Sequence, residues 1–157
     1  MFFGLNKPYD KLELVYALWT SVLILEMMIL IWFTGRIRKK TQTIHSEEDH
    51  MWMDDKNLPL YPCGGGHPDV DRIRVAHYHD LNMVMTFALI IPLWLHTSPK
   101  YQTASILLRL FPIMKIMQTI AFTIVKELNF IFLLISDVIC YSILLYMTVN
   151  SILFYCM

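Results

Sequence analysis

Charge is scarce in this chain. Asp, Glu, Lys and Arg make up only 17% of its 157 residues, and 56% are apolar. Average soluble domains carry about 25% charged and about 45–50% apolar residues, so the composition is displaced toward lipid on both counts. Nor is there an excess of either sign: thirteen Lys and Arg balance thirteen Asp and Glu. Without a basic field the chain has no electrostatic footprint for nucleic acid, and at zero net charge an isolated globule would be poorly soluble. Cysteine is scarce too. Cys63, Cys140 and Cys156 are an odd number and the last two lie in apolar runs, which excludes a secreted disulfide scaffold and fits a membrane facing reducing cytosol. Internal repeats, low-complexity tracts and ring-forming charge motifs are missing, which leaves a transporter or channel without support.

What the sequence does have is long apolar runs, at residues 14–33, 81–95, 106–125 and 130–149. About 20 residues suffice to cross about 30 Å of hydrocarbon as a helix. The first run is longer than the h-region of a signal peptide, about 7–15 residues, and is expected to be retained. The second is the shortest, and reads as one helix if its polar lead-in His77-Tyr78-His79-Asp80 belongs to it. Pro92 and Pro112 fall inside helices two and three, where membrane helices tolerate proline. These patterns predict an all-α, integral membrane four-helix bundle forming one transmembrane domain over 1–157, with helices over about 12–38, 72–96, 102–125 and 129–152. A long polar loop is expected at about 39–71, and short turns at Ser98-Pro99-Lys100 and around Lys126, Glu127 and Asn129.

Basic residues set the orientation. Arg36, Arg38, Lys39, Lys40, Lys56, Arg72, Arg74 and Lys126 fall on the long-loop side, against Lys7, Lys11 and Lys100 opposite. The loop is therefore expected in the cytosol. Its His45, Glu47, Glu48, Asp49 and His50, even with His77 and His79, match no zinc spacing, so no metal is expected. Cys63-Gly64-Gly65-Gly66 lacks the lysine of a phosphate loop and reads as a hinge.

Four charges, Glu26, Arg109, Lys115 and Asp137, lie in or near the spans. Each costs about 2.5–3.5 kcal/mol at a helix centre on insertion scales, so each should face other helices or water. Glu26, Arg109 and Asp137 can be read as structural pairs holding the bundle together, or as part of a site. Lys115, Gln118, Thr119 and Phe122 share one helical stripe, able either to receive an anionic ligand or to hydrogen-bond between helices. Arg74, His77 and Asp80 repeat every three residues, with Arg72 nearby. They form either an anion-binding rim or a solvated helix end.

At these residues the chain resembles the MAPEG family of microsomal glutathione transferases and prostaglandin E synthase. The likeness runs from about residue 26 to 122 and is best at Pro68-Asp69-Val70-Asp71-Arg72, Ala76-His77 and Asp80-Leu81. It is supported by Thr34-Gly35-Arg36-Ile37-Arg38, Glu48-Asp49, Arg109-Leu110-Phe111 and Thr119-Ile120-Ala121. Helix four matches in hydropathy only. The resemblance implies a homotrimer that binds glutathione between subunits near the cytosolic face and acts on small apolar electrophiles from the lipid. It also implies an endoplasmic reticulum location, with the mitochondrial outer membrane as the alternative. Arg38, Arg74 and His77 correspond to glutathione-holding residues, Gln118 and Thr119 line the same site, and Asp49 matches a carboxylate considered in the synthase chemistry.

The chain also departs from the family pattern. Val75 replaces an arginine, His79 an asparagine and Asn82 a glutamate. Lys115, Gln118 and Phe122 stand for arginine, histidine and tyrosine, and Glu26 for a lysine. The helix-four arginine is absent, with Asn129, Phe130 and Ile131 in its place. Glutathione's thiol has an unperturbed pKa of about 8.5, and its reactive form is the thiolate, which a fixed cation stabilises. Lys115, Arg38 and Arg74 are the remaining candidates for that task, with Lys115 and Arg38 expected to carry it. The expected activity is a glutathione-dependent transferase or peroxidase. The alternative is a catalytically degenerate relative acting as a structural or regulatory membrane subunit.

Overall fold

A computed structural model describes residues 8–53, 55, 57–124 and 130–157. Four long helices run in series: α1 (Pro8–Thr41), α2 (Pro68–His96), α3 (Tyr101–Ile124) and α4 (Phe130–Cys156). All four are long and apolar enough to cross a membrane. The expected turn around Lys126, Glu127 and Asn129 lies outside the described residues, as do Lys7 and Lys56.

The helices outlast the apolar runs that announced them. α1 starts four residues before the expected 12 and ends three past 38, while α2 begins at Pro68 rather than 72 and α4 continues to Cys156 rather than 152. Hydropathy marks only the part of a helix that meets hydrocarbon. Lys, Arg and Glu beyond it are good helix formers and carry the coil on. The α2 start is fixed locally. Pro68 opens the helix, where its missing N–H is no loss, and the His67 ring accepts a hydrogen bond from Asp69 N at 3.2 Å.

α2 and α3 pack against each other and both touch α1 and α4, while α1 and α4 make no contact among the described residues. The core between them follows helical spacing. On α2 the buried positions include Ile73, Ala76, Asp80, Met83, Phe87, Ile91 and Trp94. On α3 they include Ala104, Leu108, Phe111, Lys115, Gln118 and Thr119. Phe87 and Phe111 stack at 4.1 Å in its middle. On α3 the buried stripe is apolar toward the short turn and polar toward the long loop, whereas on α2 Asp80 is set between Ala76 and Met83 in an otherwise apolar stripe. The outer faces of the bundle are apolar as well, with Ile24, Met28, Leu89, Leu145 and Ile152 all exposed, an inversion of the soluble pattern that suits lipid.

Pro92 cannot donate a hydrogen bond to the carbonyl of Ala88. The Tyr16 hydroxyl from α1 donates to that carbonyl instead, at 3.1 Å, so one side chain mends the helix and ties α1 to α2. Tyr16→Phe leaves the carbonyl without a partner, and we expect a loss of about 1–3 kcal/mol. Reversible unfolding in mixed micelles measures it.

The long loop folds back on the helix ends. Ile44 bridges Leu60, and Tyr61 N donates to Ile44 O at 2.7 Å. A 3-10 helix spans Glu47–Met51. Gly64 and Gly65 both take positive φ, 97° and 91°, so the expected hinge is a turn that favours glycine. It is held by Gly65 N donating to Asp71 at 2.8 Å and by Arg74 donating to Cys63 O.

Candidate functional site

The polar end of the α3 stripe meets His79 and Asp80 of α2 around Lys115. Its side chain is completely buried. Its ammonium lies 2.6 Å from Asp80 Oδ1, 3.0 Å from Gln118 Oε1 and 3.0 Å from His79 Nδ1. An ammonium has three hydrogens and no lone pair, so all of its donors are engaged and His79 Nδ1 must accept. The imidazole then carries its proton on Nε2, 3.4 Å from Asp137 Oδ1 on α4. Gln118 Nε2 donates to the same Asp137 oxygen at 2.7 Å, and Thr119 donates to Asp80 Oδ2 at 2.7 Å. Three helices are thus joined by one network at membrane depth, where each member would be costly alone.

One side of the network is open. His79, Asp137, Gln118 and Thr119 border a small cavity of about 100 Å³ whose remaining walls include Val75, Phe122 and Leu133. Asp137 Oδ2 has no hydrogen-bond partner among the described residues. A polar wall beside an apolar one can seat a molecule with a hydrogen-bonding group and a greasy body.

The other expected residues lie elsewhere. Arg38 and Asp49 pair at 2.9 Å and border a wider cleft of about 660 Å³ with Trp32 and Trp52. The two cavities share no residue, and neither includes Arg74 or His77. Arg74 is engaged with Cys63 O, and His77 Nδ1 is buried without a partner. Within one chain, then, Lys115, Gln118 and Thr119 come together, Arg38 and Asp49 come together, and the two groups border separate cavities. Arg72 donates to Thr123 O at 3.2 Å, closing α2 onto the last turn of α3.

The reading of Glu26, Arg109 and Asp137 as structural pairs needs correction. Arg109 is exposed and has no partner among the described residues. Both Glu26 oxygens are buried without a hydrogen bond, beside an apolar cleft of about 370 Å³ between α1 and α3. Asp137 joins the Lys115 network. The counterion of Lys115 is Asp80, which the spacing by threes had placed on a rim with Arg74 and His77. A signal for the pairing was present: Asp80 occupies a position on the buried stripe of α2, as Lys115 does on α3.

Four membrane-spanning helices around a buried polar network define a multi-pass integral membrane protein. The family model described as the MAPEG family matches residues 16–149, and the chain belongs to that family. No curated protein matches it.

Proposed function

We propose that the protein is a membrane-bound, glutathione-dependent transferase or peroxidase acting on small apolar electrophiles from the lipid. Membership of a family whose members generally use glutathione supports this reading. The observation that carries it is a pair of buried, unpartnered nitrogens, Arg38 Nε and His77 Nδ1, near the loop end of the bundle. Buried polar groups without partners are costly; Arg38 Nε is a donor, His77 Nδ1 is one when protonated, and a tripeptide with two carboxylates supplies acceptors for both.

When bound, glutathione supplies the nucleophilic sulfur. Arg38, Arg74 and His77 hold its carboxylates, and the cavity beside Gln118 and Thr119 keeps the reacting groups out of bulk water. Because its ammonium is saturated, Lys115 acts by fixing His79 and Gln118. A homotrimer, with the long loop in the cytosol at the endoplasmic reticulum or mitochondrial outer membrane, brings the α1 residues of one subunit toward the α2–α4 residues of the next.

Titration calorimetry of the purified protein with glutathione tests this. Binding is expected, with at least a tenfold loss of affinity when Arg38 and His77 are both replaced by Ala. Absence of binding to the parental protein overturns it.

A second reading, a degenerate member kept as a structural or regulatory subunit, is favoured by the closure of Lys115 on its own partners and by Glu26, a carboxylate where the family pattern has a lysine. Binding without the ultraviolet signature of a thiolate would support that reading.

A further inference from the structure

The C-terminal third of α1 carries a feature that the proposed chemistry does not use. Trp32, Gly35, Arg36 and Lys39 follow i, i+3, i+4, i+7 spacing and share one face. They line the cleft of about 660 Å³ completed by Arg38, Asp49, Trp52 and Met53, a ligand-sized volume. Arg38 is committed to Asp49. Arg36 lies over the Trp32 ring at 5.3 Å, and neither it nor Lys39 has an ion-pair partner among the described residues. Met53 is buried at 6% and pins the loop, yet its neighbours Met51 and Trp52 stand 70% and 71% exposed. Nothing lies within 4 Å of a side chain added at Gly35, so the fold itself does not require glycine there and the cleft floor is open. Glu47 and Glu48, the other acids of the 3-10 helix, do not border the cleft.

Free cations at the end of a membrane span, flanked by indoles at the same level, match the chemistry of an anionic membrane surface. We infer that this cleft binds the head group of an anionic phospholipid, with Arg36 and Lys39 taking its phosphate and Trp32 and Trp52 flanking its glycerol end. The lipid thereby clips the long loop to the membrane. Arg38 borders the same cleft, but the inference rests on Arg36 and Lys39, which have no part in the proposed glutathione site.

The test uses the full chain in nanodiscs containing either a brominated anionic phospholipid or brominated phosphatidylcholine at equal mole fraction. Trp52 emission is taken as the difference between the parental protein and Trp52→Phe. The anionic lipid is expected to quench it at least twofold more strongly than the zwitterionic one. R36Q/K39Q, and separately Gly35→Leu, should abolish that preference. Equal quenching by the two lipids in the parental protein overturns the inference without reference to any variant. So does protection of Trp52 from both, which would mean that a second copy covers the cleft. Loss of the preference on adding soluble glycerophosphate would show a site for free anions, and would overturn it as well.

Discussion

Lys115→Met is expected to lower the unfolding free energy by about 3–5 kcal/mol, because it leaves the Asp80 carboxylate buried without its counterion. Asp80 keeps Thr119 at 2.7 Å and the His79 ring at 3.8 Å, and neither a hydroxyl nor a neutral imidazole replaces the ammonium. The loss would spread through the network, since Lys115 also sets the acceptor role of His79 Nδ1 and holds Gln118 against Asp137. The double variant Lys115→Met with Asp80→Asn should recover most of the deficit. Replacing both members of a buried pair by uncharged groups is often neutral, and Asn still offers Thr119 an acceptor. Lys115→Arg should not rescue, because a planar guanidinium carries five donors into a space built for three. Reversible unfolding in mixed micelles, read by far-ultraviolet dichroism, measures all three variants. A parental midpoint for Lys115→Met alone would show that the pair does not organise the bundle.

Asp80 also shows where reading the sequence succeeds and where it stops. All four spans were legible, because hydrocarbon demands about 20 apolar residues and hydropathy reports that demand directly. The stripe of Lys115, Gln118 and Thr119 was legible for a similar reason, as it depends only on the helical repeat. Placing Arg74, His77 and Asp80 on one face was less secure. Successive steps of three residues drift around the helix, so the last member of the series turns away from the first. Asp80 has turned into the core, whereas Arg74 stays at the surface with the loop. Which α3 residue then meets Asp80 depends on the register of two packed helices, and no local pattern encodes that. The same limit applies to the loop. Its glycine turn could be read from composition. The pairing of Arg38 with Asp49, and of His45 with the Tyr61 carbonyl, requires the chain to fold back on itself.

Asp49→Ala is expected to release the long loop while leaving the bundle intact. A single oxygen, Oδ2, accepts from Arg38 Nη1 at 2.9 Å, His45 N at 3.0 Å and Ser46 N at 3.2 Å. The Ser46 contact belongs to the capping box of the 3-10 helix, the His45 contact fixes the residue before it, and the third is a partly exposed ion pair. Together they are worth roughly 2–3 kcal/mol, from about 1 for a cap and 0.2–1 for such a pair with the remainder from charge-assisted bonding. Amide exchange should therefore accelerate at Tyr61, whose N–H bonds Ile44 O, and stay unchanged at Phe87 and Phe111 in the core. Asp49→Asn provides the contrast. It keeps an oxygen for the two backbone donors and loses only the charge, so its loop should exchange nearly as slowly as the parental one. On the proposed glutathione-dependent function, if Asp49 acts by positioning the loop, the KM for glutathione rises at least tenfold in the Ala variant, kcat changes less, and Asn restores KM. If it touches the reacting atoms, kcat falls in both variants alike and the exchange rates do not predict the loss.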